Sequence, residues 1–301
     1  MTFCSFPDYN LKKSKDLVFM SEIEKEVLSL EEASQLFQVS SKTFLKLLRE
    51  ENIPARKIGR EWRFSRTALL NWMAEGNSKE YVSAEEDNKA YFAQVAPVYD
   101  DLRKGCYGEA LRDILISRFP PEPGSTVADI GTGTGYLAKK LAETAGMVNA
   151  TDISSAMLEV ARKDLSQKEL KTIKLIEGDA QDLPFEDESQ DMVYANLLLH
   201  HLLEPSLAIK EIYRTLKPGG RLVISDINRH NYQWAKSEKS DVWLGIERNE
   251  IKSWLREAGF IDHNVSDLGC NCRTSSNSGV TVEIPMFVAV GHKPVKKEVN
   301  Q

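Results

Sequence analysis

The stretch Val127-Ala128-Asp129-Ile130-Gly131-Thr132-Gly133-Thr134-Gly135-Tyr136 decides how the rest of the chain reads. An apolar run ends in three glycines at alternate positions, and a segment with helical apolar spacing (Tyr136, Leu137, Leu141) follows. That is a strand, a tight turn and a helix start. Glycines at such a turn let the chain reverse sharply and let a ligand approach the backbone. The spacing is G-x-G-x-G, not the G-x-G-x-x-G of dinucleotide enzymes.

Outward from this turn, short apolar or β-branched runs recur at 126–130, 147–151, 173–177, 191–195 and 220–226, separated by stretches with helical spacing. The alternation predicts an α/β fold, a parallel sheet with helices on both faces. After Asp226 the pattern changes. Ile251, Trp254, Leu255 and Ala258 form a helix closed by Gly259, and runs at 261–268 and 281–291 read as an antiparallel pair added to the sheet edge. Polar groups fall where the strands end. Asp152 closes the second strand, 21 residues after Gly131, and a carboxylate there accepts hydrogen bonds from a ribose diol. Asp179 and Ala180 follow the third strand, where a carboxylate accepts from an adenine amino group. Asn196 follows the fourth, at the mouth where ligands of open α/β sheets sit.

The chain has 301 residues, room for two domains, with 42 % apolar and 28 % charged residues. The expected domains are 22–75 and 81–293, joined by the linker Gly76-Asn77-Ser78-Lys79-Glu80, with loose ends at 1–21 and 294–301. Thirty-nine basic against 45 acidic residues give a net charge of −6, which excludes a uniformly basic nucleic-acid coat but not a local patch. No apolar run approaches the roughly 20 residues that span a bilayer. No secretory signal pattern is present either, so a cytoplasmic protein without membrane contact is expected. The four cysteines (Cys4, Cys106, Cys270, Cys272) are too few for a disulfide scaffold and are expected as thiols.

In the first domain, Ser29 and Glu32 have capping-box spacing before a short helix, and Val39-Ser40-Ser41 is a turn into a second helix. Residues 53–64 alternate around Gly59 as a β-hairpin or wing, and Ser65 opens a third helix. Charge is split. Residues 22–41 hold five acids and one base, net −4; residues 42–66 hold eight bases and three acids, net +5. The basic half, with Lys42, Lys46, Arg49, Arg56, Lys57, Arg60 and Arg63, contains the second helix and the wing, the elements suited to phosphates and a groove. Leu30-Glu31-Glu32-Ala33, Val39-Ser40, Arg56-Lys57-Ile58-Gly59 and Trp62-Arg63-Phe64 together resemble the winged helix-turn-helix module of excisionase and MerR-type proteins. The resemblance implies DNA binding through 42–66, with a solvated face or a protein or RNA partner as the alternatives. One module has a small footprint, so useful affinity calls for a homodimer or a second contact.

The larger unit resembles the class I S-adenosylmethionine-dependent methyltransferases, with a seven-stranded Rossmann-like sheet. The residues that carry this are 127–136, Ala150-Thr151-Asp152-Ile153-Ser154, Gly178-Asp179-Ala180, the run 182–191, and Leu216-Lys217-Pro218-Gly219-Gly220-Arg221-Leu222. Residues 91–100 resemble the N-terminal lid of the small-molecule branch, which includes ubiquinone/menaquinone-biosynthesis methyltransferases and those fused to arsenic-type repressors. Asp241-Val242-Trp243-Leu244-Gly245 resembles the segment after their fifth strand. By that resemblance Asp129, Gly131, Thr132, Gly133 and Gly135 face the methionine part of S-adenosylmethionine and Asp152 holds the ribose. Ile153 and Met157 flank the adenine, Asp179 and Ala180 read its edge, Asn196 stands at the mouth, and Tyr99 closes over the carboxylate end.

A sulfonium methyl donor needs an aligned nucleophile and exclusion of water, and a base when the acceptor is a hydroxyl, phenol or C–H acid. His200 and His201 follow the fourth strand and are candidates for that base; packing or capping is the alternative. Cys270 and Cys272 sit two apart at the end of a strand, pointing the same way. They are candidate ligands for a thiophilic centre such as As(III), with Cys106, just after the lid, as a candidate third, or ordinary reduced cysteines. No zinc signature or other metal site is present. The expected function is methylation of a small molecule. The alternative is a transcriptional regulator whose methyltransferase-like domain senses S-adenosylmethionine or a small ligand. Methylation of nucleic acid fits less well, because the fourth strand ends in Asn196-Leu197-Leu198-Leu199 rather than an (N/D)-P-P-(Y/F) cluster.

Overall fold

The computed structural model describes residues 25–50, 53–59, 61–75, 78–106, 108–166 and 171–295. The chain divides into two compact units at Lys79 and Glu80. The first contains β1 (Val27–Leu28), α1 (Leu30–Leu36), α2 (Ser41–Glu50), β2 (Arg56–Ile58), β3 (Glu61–Ser65) and α3 (Arg66–Glu75). Each helix start is capped by its own sequence. The Glu32 amide donates to Ser29 Oγ at 3.3 Å while the Ser29 amide donates to the Glu32 carboxylate at 2.9 Å. Ser40 Oγ accepts from the Thr43 amide at 3.0 Å, and Ser65 Oγ from the Ala68 amide at 3.1 Å. Leu28, Ala33, Phe44, Ile53, Phe64 and Leu69 form the core, with the Phe44 and Phe64 rings edge to face at 5.2 Å. The sheet order is β1-β3-β2. The sequence reading saw the hairpin but not β1, whose two residues are too few to show a period.

The boundary between the units falls in the first turn of α4 (Ser78–Val95), and the second unit continues with α5 (Tyr99–Cys106) and α6 (Ala110–Arg118). There follow β4 (Thr126–Ile130), α7 (Tyr136–Leu141), β5 (Met147–Asp152), α8 (Ser155–Asp164), β6 (Ile173–Glu177), β7 (Gln190–Asn196), α9 (Pro205–Thr215) and β8 (Leu216–Ile227). It ends with α10 (Trp234–Lys239), α11 (Arg248–Ala258), β9 (Ile261–Ser275) and β10 (Thr281–His292). The seven strands lie in the order β6-β5-β4-β7-β8-β10-β9. β4 to β8 pair in parallel, and β10 runs antiparallel to both β8 and β9. The order reverses between β4 and β7, so the crevice at their C-terminal ends is the place for a ligand. Strands buried on both faces explain the nearly continuous apolar runs. One face packs Leu115, Leu137, Leu141 and Tyr194; the other packs Ile130, Ile209, Ile212 and Leu255.

Two expectations are corrected. Ser78, Lys79 and Glu80, read as linker, are the first turn of α4; Gly76 and Asn77 lie outside the described residues. The cysteines expected as separate thiols are not all separate: Cys106, ending α5, is disulfide-bonded to Cys272 in β9, with their Cα atoms 5.1 Å apart. The partners stand 166 residues apart, a distance that hides the pairing from a sequence reading. Cys272 therefore does not pair with Cys270 as a thiophilic dyad. Cys270 is free, and its sulfur lies 4.0 Å from that of Met286. Cys4 lies outside the described residues. No described helix is long and apolar enough to cross a membrane.

Candidate cofactor and acceptor cavities

The glycine turn after β4 is shaped by what touches it. Gly131 has φ +69°, and a Cβ there would stand 2.8 Å from Leu198 Cδ1, so a side chain meets both strain and a clash. Gly133 has φ +56°, and its amide donates to Asp152 Oδ2 at 2.8 Å. The other carboxylate oxygen of Asp152 accepts from the Ser154 amide at 2.9 Å. Asp152 is thus fixed by the turn on one side and the start of α8 on the other. Burial pushes its carboxyl above the usual range. Asp129 is fully buried and accepts from the Thr132 hydroxyl at 2.6 Å. Burial pushes its carboxyl up to about 7.

Tyr99, Gly131, Gly133, Asp152, Ile153, Met157, Asp179, Ala180 and Asn196 line one cavity of about 100 Å³ in the crevice. Asp129 and Thr132 line a small recess beside it, together with Tyr99, Gly131, Gly133 and Asn196. Met157 is 1 % exposed, so it is at once core and cavity floor. Asp179 Oδ1 accepts from the Gln181 amide at 2.8 Å, and Asn196 Oδ1 from the Ser225 hydroxyl at 2.6 Å. Gly135 lines neither space. It opens α7 at φ +81°, a left-handed conformation that favours glycine.

A second cavity of about 480 Å³ adjoins the first. Phe92, Tyr99, Leu197 and His201 line both. Its wall also carries Tyr91, His200, Asp241, Lys239 and the Cys106–Cys272 bridge. His200 Nδ1 lies 2.6 Å from Asp226 Oδ1, and Asp226 is wholly buried at the end of β8. Burial alone would push the His200 imidazole down, but the Asp226 carboxylate and its hydrogen bond raise it to about 9. His201 goes the other way. Burial and the neighbouring His200 charge hold it well below its ordinary value, and its Nδ1 lies 3.0 Å from the Ser240 carbonyl. A carbonyl only accepts, so Nδ1 of this neutral ring donates and Nε2 keeps the lone pair. The Asp241 carboxylate, 7 % exposed, stands 3.8 Å from His200 Nε2 and 3.9 Å from His201 Nδ1. Burial raises it to about 6.

The sequence reading missed four residues here. Asp226 and Asp241 were visible only as acids after a strand. Asn88 of α4 donates to the His201 carbonyl at 2.7 Å and lines the first cavity. Leu197 holds φ +52°, an unusual conformation for a leucine, at the boundary of both cavities.

In the first unit, Lys42, Arg56 and Lys57 are exposed, and the Lys57 ammonium stands 5.9 Å over the Trp62 ring. Arg63 is half-buried. It pairs with Glu61 and donates to the Trp62 carbonyl at 2.9 Å, so it is less available to a phosphate than expected. Arg60 lies outside the described residues, as do the side chains of Lys46 and Arg49 on α2.

Comparison with known proteins accords with this geometry. Residues 128–224 match a family described as a methyltransferase domain, and residues 27–77 match one described as a helix-turn-helix domain. A demethylmenaquinone methyltransferase of Clavibacter sepedonicus is 31 % identical over 169 residues, covering 46 % of this chain and 67 % of that protein. The chain belongs to the methyltransferase family. A chloroplastic 2-phytyl-1,4-beta-naphthoquinone methyltransferase of Arabidopsis thaliana is 36 % identical over 159 residues, 50 % of this chain and 61 % of its own length. The match thus spans about two thirds or less of these curated relatives. The crystal structure of a putative methyltransferase from Bacillus halodurans is 20 % identical and covers 62 % of this chain and 100 % of its own. Its TM-score of 0.53 shows a shared fold. The methyltransferase domain therefore carries the crevice, and the helix-turn-helix domain is a separate unit.

Proposed function

We propose that the methyltransferase domain transfers a methyl group from S-adenosylmethionine to a small acceptor with an acidic proton, a phenol or enol. The observation that carries this is a pair of adjoining cavities whose common wall is Phe92, Tyr99, Leu197 and His201. The first cavity fits the methyl donor. The Gly131 and Gly133 turn that lines it lies beside a carboxylate, Asp152, positioned by two backbone amides. Asp152 would hold the ribose hydroxyls, Asp179 the adenine edge, and the Asp129 recess the methionine end. When bound, S-adenosylmethionine supplies a methyl group already activated by a positive sulfur. The protein's share is alignment, exclusion of water and removal of one proton.

His201 suits the proton step better than His200. His201 is neutral with a free Nε2 lone pair and lines both cavities. His200 holds a proton against Asp226 and serves as a fixed positive charge beneath it. A base as weak as His201 serves only an acceptor whose proton is already acidic. The quinone-type acceptors in the names of the relatives are of that kind in their hydroquinone form. The helix-turn-helix domain is proposed to bind DNA through α2 and the β2–β3 hairpin. A cytoplasmic protein, paired as a homodimer to reach useful DNA affinity, fits that role.

The test incubates the protein with S-adenosylmethionine labelled at the methyl group, a panel of hydroquinones, phenols and thiols, and nucleic acid. Label in a hydroquinone or phenol fraction is the expected result. Label in nucleic acid, or none anywhere despite tight cofactor binding, overturns it.

A further inference from the structure

The acceptor cavity has one feature that methyl transfer does not use. Cys106 and Cys272 both line it, and they are bonded to each other. Cys106 is half-buried and Cys272 is 9 % exposed, so the bridge reaches solvent through the cavity. The free Cys270 is not a competing partner. It is partly buried and packs against the core beside Met286, and burial raises its thiol.

The bridge also ties the last residue of α5 to β9. The other end is held by its own contacts. Asp100 Oδ1 accepts from the Thr134 hydroxyl at 2.7 Å, and the Arg103 guanidinium stacks 3.7 Å over the Tyr136 ring. These contacts belong to the glycine-turn side. Lys104 and Gly105, between them and Cys106, are exposed.

We propose that Cys106 and Cys272 form a thiol–disulfide exchange site for low-molecular-weight thiols, whose state sets the position of the acceptor-side end of α5. A small thiolate attacks one sulfur and the Cys–Cys bond breaks. A second small thiol resolves the mixed disulfide, leaving two cysteine thiols and one small disulfide. The return is the reverse exchange: a low-molecular-weight disulfide oxidises the two cysteine thiols to the bridge and is itself reduced to two small thiols. Opening frees the end of α5 that walls the acceptor cavity and leaves the end that walls the cofactor cavity in place. The effect on acceptors rests on the reading of that cavity given above; the exchange itself does not.

The experiment uses the full chain with Cys4→Ser and Cys270→Ser, equilibrated over a range of reduced to oxidised glutathione. Alkylation and mass spectrometry read the Cys106–Cys272 state, hydrogen exchange reads residues 104–106 against 99–103, and calorimetry reads S-adenosylmethionine affinity. Expected are one reversible two-electron step, exchange about tenfold faster at 104–106 on reduction, and cofactor affinity within about twofold. Cys106→Ser, or Cys272→Ala should the first fail to fold, exchanges fast in every buffer. A bridge that resists excess glutathione in the folded protein overturns the proposal. So does unchanged exchange at 104–106, or a cofactor affinity that moves with the bridge. Failure to bind S-adenosylmethionine in either state would instead count against the methyltransferase reading and leave the exchange result standing.

Discussion

The two halves of the crevice are built in different ways. The cofactor half comes mainly from three consecutive strand ends, after β4, β5 and β6, within residues 129–180. Two of its carboxylates, Asp152 and Asp179, are held by backbone amides close by in sequence. The acceptor half is assembled from α4, α5, the turn after β7, α10 and the antiparallel strands β9 and β10, over residues 91–284. Its polar groups are held from far along the chain, His200 by the Asp226 carboxylate and His201 by the Ser240 backbone carbonyl. A half set by local backbone geometry serves one fixed ligand. A half set by long-range contacts can change acceptor without disturbing the other.

The largest effect that separates the halves is expected at His201. His201→Gln removes the Nε2 base and lowers kcat by about 10²–10⁴, while calorimetry finds S-adenosylmethionine affinity little changed. A matching loss of cofactor affinity would show that His201 belongs to the cofactor half.

Asp226→Asn tests how the acceptor half is held. It leaves the His200 charge buried without its partner, at a cost of about 3–5 kcal/mol in a denaturant melt. The pH dependence gives a second reading. His200 is raised from 6.5 to about 9 in the folded protein. Its contribution is therefore full below pH 6.5 and is lost as pH rises through 9. The Asn variant should lose that slope between the two values. Persistence of the slope would place its source elsewhere.

At the cofactor half, Asp152→Ala removes the acceptor of the Gly133 and Ser154 amides as well as the proposed ribose contact. Cofactor affinity should fall about 10- to 100-fold, one or two charged hydrogen bonds. Unchanged affinity would undo the assignment of the first cavity.

Legibility in the sequence follows the same division. All five parallel strands, the edge pair and the strand-end polar residues Asp152, Asp179 and Asn196 could be read, because strand period and turn chemistry are local signals. His200 and His201 were visible as candidates, but their opposite protonation was not. That depends on Asp226, 26 residues away, and Ser240, 39 away. The Cys106–Cys272 pairing was misread for the same reason, since no local pattern connects residues 166 apart. Ser78 to Glu80 were misread in the opposite direction. Gly76-Asn77 is a strong turn signal, and it masked a helix that starts immediately after it.

Leu197 gives the smallest expected effect and the most direct attack on the two-halves comparison, because it walls both cavities. Its φ of +52° costs a leucine about 1 kcal/mol that glycine would not incur. Leu197→Gly recovers that strain and loses the contacts of a half-buried side chain, about 0.8 kcal/mol for each methylene that was buried. The two terms oppose each other, so the melting temperature should move by only a few degrees. Cofactor affinity and acceptor KM should both weaken about three- to tenfold. Equal changes on the two sides identify Leu197 as the shared partition. A change confined to the acceptor side would mean that the cofactor half closes without it, and that the boundary between the halves lies at Gly131 and Leu198 instead.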